Sequence, residues 1–233
     1  MLIGGWEKST LLDYPGKIAT TIFTSGCNFN CPFCQNPELV DPKMIKKQPR
    51  IEEGAFFDFL KLRHGLLDGV CLTGGEPTIQ PDLIDFIKKI KNLDFLVKLD
   101  TNGSNPGMLE QLFKKRLLDF VAMDIKTSLD RYSEATNREI DIKSIQKSID
   151  LIKNSGVEYE FRTTIVPGLV DEREIKRIGR WLKGSKRFAL QQFRIEKTLD
   201  LSYQKLKPYS DEKLKELTQL AQSFFDKVDC RGL

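Results

Sequence analysis

Ile18-Ala19-Thr20-Thr21-Ile22-Phe23-Thr24-Ser25-Gly26-Cys27-Asn28-Phe29-Asn30-Cys31-Pro32-Phe33-Cys34 joins a β-branched apolar run to a cysteine triplet. The run reads as a strand over Ile18–Phe23, and Ser25-Gly26 delivers Cys27 directly after it. Thiolates spaced four and three apart can ligate one metal group from a single loop, and sulfur donors favour zinc, copper(I) or iron–sulfur. No fourth cysteine or histidine lies close by in the sequence. A closed zinc site or a fully ligated iron–sulfur cube wants a fourth ligand. Three ligands leave one position where a small molecule can bind and react. The competing reading is a non-catalytic module: an iron–sulfur redox sensor, or structural zinc with Cys71, Cys230 or His64 as a distant fourth ligand.

Outward from this stretch, apolar β-branched runs alternate with amphipathic ones. Strands are expected at Gly69–Thr73, Phe95–Asp100, Phe120–Asp124, Glu158–Ile165 and Arg187–Arg194. Helices are expected at Glu52–Arg63, Pro81–Lys91, Met108–Lys115, around the stripe Ile142, Ile145, Ile149 and Ile152, and at Glu172–Leu182. Ser210 is placed to cap a last helix carrying Leu214, Leu217, Ala221 and Phe224. Six β–α units imply an α/β fold with a parallel sheet and right-handed crossovers. Periodicity leaves an open doubly wound sheet and a complete or partial barrel as alternatives. Polar and glycine residues gather after the strands, at Ser25-Gly26-Cys27, Gly74-Gly75-Glu76, Thr101-Asn102-Gly103 and Lys126. Both architectures build their sites on that rim.

With 233 residues the chain suits one domain, read as a lead-in over 1–17, a core over 18–194 and a C-terminal helical extension over 195–233. No apolar run is long enough to cross a bilayer, and the N-terminus lacks a basic segment before an apolar one. A cytoplasmic location is therefore expected. Five cysteines, three of them clustered, point to metal ligation in a reducing compartment rather than to disulfides. The net charge of +4 comes without a long block of either sign, so nucleic-acid binding is not expected. A single histidine leaves Ser–His and Cys–His catalysis without material.

The pattern Cys27-x3-Cys31-x-Phe33-Cys34 resembles the signature of radical S-adenosylmethionine (SAM) enzymes. The resemblance implies a partial (β/α)6 TIM-like barrel and a [4Fe–4S] cluster on Cys27, Cys31 and Cys34. It also implies SAM bound through its methionine half to the fourth iron and cleaved to a 5′-deoxyadenosyl radical. Gly74-Gly75-Glu76-Pro77 resembles the family's second motif, whose glycines let backbone approach a ligand and whose Glu76 receives the SAM ammonium group. Asp100-Thr101-Asn102-Gly103, Asp124-Ile125-Lys126 and Arg162 resemble the matching strands of glycyl-radical-enzyme activases. By that likeness Thr101, Asn102 and Lys126 lie near SAM, and Arg162 meets its carboxylate or ribose. Asp100 and Asp124 would hold a monovalent cation by the methionine carboxylate, and Phe33 would lie beside the adenine. Gln192 and Arg194 are the candidates on the last strand. Cys71 reads as a small buried hydrophobe, and Cys230 carries no assigned role.

The stretches Ser9-Thr10-Leu11-Leu12-Asp13-Tyr14-Pro15-Gly16-Lys17 and Cys34-Gln35-Asn36-Pro37-Glu38 narrow the resemblance. They are similar to the anaerobic ribonucleoside-triphosphate reductase activating proteins, which place a glycyl radical on a partner reductase. The formate-lyase type has Asp-Gly-Pro-Gly where this chain has Asp13-Tyr14-Pro15-Gly16, and His-Asn where it has Gln35-Asn36. The implied partners are that reductase as substrate and a flavodoxin or ferredoxin as electron donor. A radical SAM enzyme acting on another protein, RNA or a small molecule is the alternative within the class.

Overall fold

A computed structural model describes residues 1–232. Its strands are β1 (Ile3–Thr10), β2 (Ala19–Thr24), β3 (Gly69–Gly74), β4 (Leu96–Thr101), β5 (Phe120–Asp124), β6 (Glu158–Ile165), β7 (Arg187–Gln192) and β8 (Lys227–Arg231). They form one sheet in the spatial order β1 to β8, so every strand neighbours its sequence successor. β1 is antiparallel to β2, and all later pairs are parallel. A doubly wound sheet would reverse its strand order at a switch point. This order never reverses, and β1 and β8 remain its two ends. The sheet is therefore a partial barrel, open between them.

β2 to β7 are the six strands read from the sequence, and β1 and β8 are additional. The 195–233 segment, expected to be helical, holds the helix Asp211–Ala221 and then β8, so the sheet extends beyond the expected 18–194 core. β8 escapes pattern reading because only Val228 and Cys230 stand between the charged Lys227, Asp229 and Arg231, a run short and charged in the manner of an edge strand. Gly4-Gly5 hides β1 in the same way, since glycine is depleted in strands. The strand expected at Arg187–Arg194 is β7 and ends at Gln192.

Strand alternation sends one set of side chains to the helices and the other to the barrel interior. Val70, Leu72, Val97 and Leu99 join the helix residues Phe56, Leu60, Ile87, Ile90, Leu112, Ile149 and Ile178 in one apolar layer. Full burial of each such side chain contributes about 1.5–3 kcal/mol, which makes this layer the fold's main support. The intervening residues Cys71, Lys98, Asp100 and Glu160 are also buried, but inside the barrel. The interior is thus small and charged, and its charges must find one another. At the start of the strands Tyr14 packs with Ala19, Phe120 and Ala122 in a separate apolar cluster. The Tyr14 and Phe120 rings are 6.0 Å apart, closing the barrel floor with a side chain from the β1–β2 connection.

Candidate active site

The cysteine loop leaves β2 and is pinned at its start by backbone bonds. Gly26 N donates to Leu39 O at 2.7 Å, Gly75 N to Thr24 O at 2.8 Å and Glu76 N to Gly26 O at 2.8 Å. Further on, Asn30 N donates to Thr136 O at 2.9 Å and Asp200 N to Pro32 O at 2.9 Å. A loop without regular structure is fixed because its polar backbone groups find partners on other elements. Two glycines make the contacts with the β3 end feasible. Gly74 has φ +112°, a left-handed conformation that favours glycine, and a Cβ on Gly75 would lie 2.0 Å from Gly26 O. Gly75→Ala is expected to push the cysteine loop off the β3 end, costing about 1–3 kcal/mol. Thermal melting and iron content after reconstitution measure this, and an unchanged protein would contradict the close packing.

Cys27, Cys31 and Cys34 line one cavity of about 390 Å³. Burial pushes the Cys31 thiol up to about 12 and the Cys27 thiol up to about 11, and it raises Cys34 as well. The positive charge of Lys126 opposes each rise. Thiols of this kind ionise when a metal supplies positive charge. No fourth cysteine and no histidine lines the cavity among the described residues. Cys71 instead accepts from Lys98 Nζ at 3.7 Å inside the barrel, and exposed His64 packs on Phe95. Cys230 sits on β8. Three cysteines therefore line one cavity beside a polar wall without a fourth sulfur or imidazole ligand, and among the described residues no three His, Cys, Asp or Glu side chains are grouped to hold a metal ion.

That wall comes from the strand ends. Glu76, wholly buried, accepts from Thr78 N at 3.1 Å, Thr78 Oγ1 at 2.5 Å, Thr101 Oγ1 at 2.7 Å and Asn102 N at 2.6 Å. Burial raises its pKa against the lowering effect of these bonds. Its carboxyl ties β3 to β4 and aligns Thr101 and Asn102. Asn102 Nδ2 in turn donates to Asn28 Oδ1 at 2.9 Å, next to Cys27.

On β4, β5 and β6 the interior charges form a chain. Arg162 donates from Nε to Asp124 Oδ1 at 2.8 Å and from Nη1 to Asp100 Oδ2 at 3.0 Å. Lys126 Nζ meets Asp124 Oδ2 at 3.0 Å, and Lys98 Nζ pairs with Asp100 Oδ1. Burial alone would raise the pKa of Asp100 and Asp124. The Arg162 guanidinium, helped by Lys98 at Asp100 and by Lys126 at Asp124, outweighs it and holds both below the usual carboxylate range. Burial correspondingly lowers the Lys126 pKa, and Asp124 more than restores it.

The cavity brings together Phe33, Gly74, Gly75, Glu76, Asp100, Thr101, Asn102, Asp124, Lys126 and Arg162 with the three cysteines. Gln192 and Arg194 are not among its lining residues. Gln192 Nε2 donates to Tyr209 O at 2.7 Å, and Arg194 is exposed beyond the strand. Gln191 lines the cavity instead, because a one-residue step along a strand changes face. Sequence reasoning also missed Asp13, Asn36, Thr73 and Thr164. Thr164 was within reach, standing two residues after inward-facing Arg162 on β6. Asp13 had no local signal: the β1–β2 connection carries it to Thr21, whose Oγ1 donates to Asp13 Oδ2 at 2.7 Å.

A cysteine-lined cavity at the carboxyl ends of a partial parallel barrel defines a class, and comparison with known proteins agrees. Residues 21–182, more than half of the chain, match the family model of the radical SAM superfamily, to which this chain belongs. The superfamily's cofactors are a [4Fe–4S] cluster and SAM. A Methanocaldococcus jannaschii protein, provisionally named a glycyl-radical enzyme activating enzyme, is 35% identical over 100% of this chain and 96% of its own. The pyruvate formate-lyase-activating enzyme of Clostridium pasteurianum is 33% identical over 72% of this chain and 70% of its own. Within the superfamily, then, this chain is a member of the glycyl-radical enzyme activating enzymes. Among solved structures, Streptococcus suis SuiB bound to its precursor peptide SuiA superposes with a TM-score of 0.69. The match, at 15% identity, covers 90% of this chain and 48% of that one. A domain of the pyruvate-formate lyase-activating enzyme from Bacteroides vulgatus gives 0.57 at 20% identity, over 70% of this chain and 99% of that one. Both likenesses concern the fold. No helix among the described residues is long and apolar enough to cross a membrane.

Proposed function

We propose that this activase places a glycyl radical on an anaerobic ribonucleoside-triphosphate reductase, with Cys27, Cys31 and Cys34 holding the cluster. When bound, the reduced cluster and SAM together supply one-electron sulfonium cleavage and hydrogen-atom abstraction. The observation that carries the reading is the convergence of three thiols and the Asp124–Lys126–Arg162 charges on one cavity at the strand ends. Lys126 and the Nη2 of Arg162, which has no bond among the described residues, offer positive charge to the SAM carboxylate. Gly74 and Gly75 present bare backbone to its amino group, while Glu76 braces Thr101 and Asn102 from behind. Phe33, 5% exposed and packed on Tyr203 at 6.5 Å between centroids, supplies an apolar flank for the adenine. A flavodoxin or ferredoxin would deliver the electron.

The choice of target is supported by the Ser9–Lys17 stretch, where Tyr14 fills the barrel floor at a position that is glycine in the formate-lyase type. The test is anaerobic. Reconstituted and reduced, the protein is expected to convert SAM to methionine and 5′-deoxyadenosine. With the reductase present it should also give a glycine-centred doublet in electron paramagnetic resonance. Absence of deoxyadenosine rejects the chemistry. A doublet with formate lyase but not with the reductase rejects the target alone.

A further inference from the structure

Asp100 and Asp124 present four carboxylate oxygens, and each one already meets a cationic side chain. Asp100 Oδ1 has Lys98 and Oδ2 has Arg162, while Asp124 Oδ1 has Arg162 and Oδ2 has Lys126. The pair of carboxylates that the family resemblance assigns to a monovalent cation therefore does not fit one: the guanidinium of Arg162 stands between them. Three cations against two carboxylates leave one positive charge, which suits a ligand bringing a carboxylate of its own. Lys98 tips that balance. Its side chain is 1% exposed, sits two residues before Asp100 on the same inward face of β4, and touches Cys71 Sγ at 3.7 Å. A buried ammonium is costly unless paired, so its presence there calls for a charge to neutralise.

We infer that Lys98 is a built-in counter-cation of Asp100, and that with it this site binds its ligand without any soluble monovalent cation. Lys98 is a positioning residue: it holds Asp100, which holds Arg162. In Lys98→Met the apolar chain length is kept and the charge is lost, so Asp100 Oδ1 is left as an unpaired buried acceptor. A small monovalent cation is the simplest species able to replace the missing charge.

The inference rests on the proposed function only for the identity of the ligand, and the test has a half that needs none. The full chain is melted in potassium, sodium and tetramethylammonium chloride at equal ionic strength. The wild type is expected to melt at the same temperature in all three. Lys98→Met should melt roughly 6–12 °C lower in tetramethylammonium and recover part of the loss in sodium or potassium. Lys98→Arg should restore indifference to the cation. SAM affinity of the reconstituted holoenzyme should follow the same pattern, falling about tenfold in Lys98→Met without a small cation. Higher stability or affinity of the wild type in sodium or potassium overturns the inference, whether or not the variants fold. So does a Lys98→Met protein equally affected in every salt. Failure of the holoenzyme to bind SAM at all would instead overturn the proposed function and leave the melting comparison to decide.

Discussion

Alanine at Cys27, Cys31 or Cys34 is expected to abolish cluster binding and SAM cleavage, whereas Cys71→Ala and Cys230→Ala retain both. The difference follows from placement rather than from sulfur chemistry, which all five share. The triplet lines the cavity, but Cys71 lies within β3 against Lys98 and Cys230 on the edge strand β8. No spare cysteine or histidine lines the cavity among the described residues, so a lost ligand has no substitute there. Each thiol loses its proton as metal binds, and binding energy spread over three thiolates falls steeply when one is removed. Iron per chain and visible absorption after anaerobic reconstitution measure the first effect, and deoxyadenosine formation the second. Cluster retained in all three triplet variants would reject the ligand assignment. Full loss in Cys71→Ala would show that the barrel interior below the cavity contributes a ligand.

Much of this arrangement was legible in the sequence for reasons that are local. β3 and β5 are continuous apolar runs because a parallel strand is covered on both faces. The Ile142–Ile152 stripe is helical by spacing alone, and it lies within the helix Ile142–Asn154. Site residues placed directly after strands were also legible, since strand ends converge in any parallel barrel. What could not be read depends on register or on long-range pairing. Gln191 and Gln192 are chemically identical, and only the phase of β7 decides which faces the cavity. Lys98 carries no signal of its own within the expected Phe95–Asp100 strand. It pairs with Asp100 on the same face of β4, and only the reach of Arg162 from β6 past β5 to Asp100 shows what that pair supports. Asp13 and Tyr14 enter the barrel because β1 turns back antiparallel, and Gly4-Gly5 conceals that strand.

Arg162→Met is expected to cost about 3 kcal/mol of stability at neutral pH and to weaken SAM binding at least tenfold. The guanidinium bridges two carboxylates on two other strands, so its removal leaves Asp100 to Lys98 and Asp124 to Lys126 with nothing between them. Breaking a buried pair by deleting one partner typically costs 3–5 kcal/mol. The lower end applies because both carboxylates keep a lysine and Asp124 retains 30% side-chain exposure. For a chain of this length that corresponds to a melting temperature roughly 6–12 °C lower. Arg162→Lys should fall between, since one ammonium cannot span both carboxylates. The pH dependence separates this account from a simple packing loss. In the wild type Asp100 and Asp124 are held below the ordinary carboxylate pKa, so their contribution is complete above about pH 4. It is lost as pH falls through their depressed folded values. Without Arg162 the depression shrinks, and the two carboxyls of the variant take up protons at higher pH, relieving their unpaired charge. The stability gap between wild type and Arg162→Met should therefore be widest near pH 7 and narrow as the pH falls below about 4. Urea unfolding at both values measures it directly. A gap that stays constant with pH would assign Arg162 a packing role and dissolve the charge chain as the support of the cavity wall.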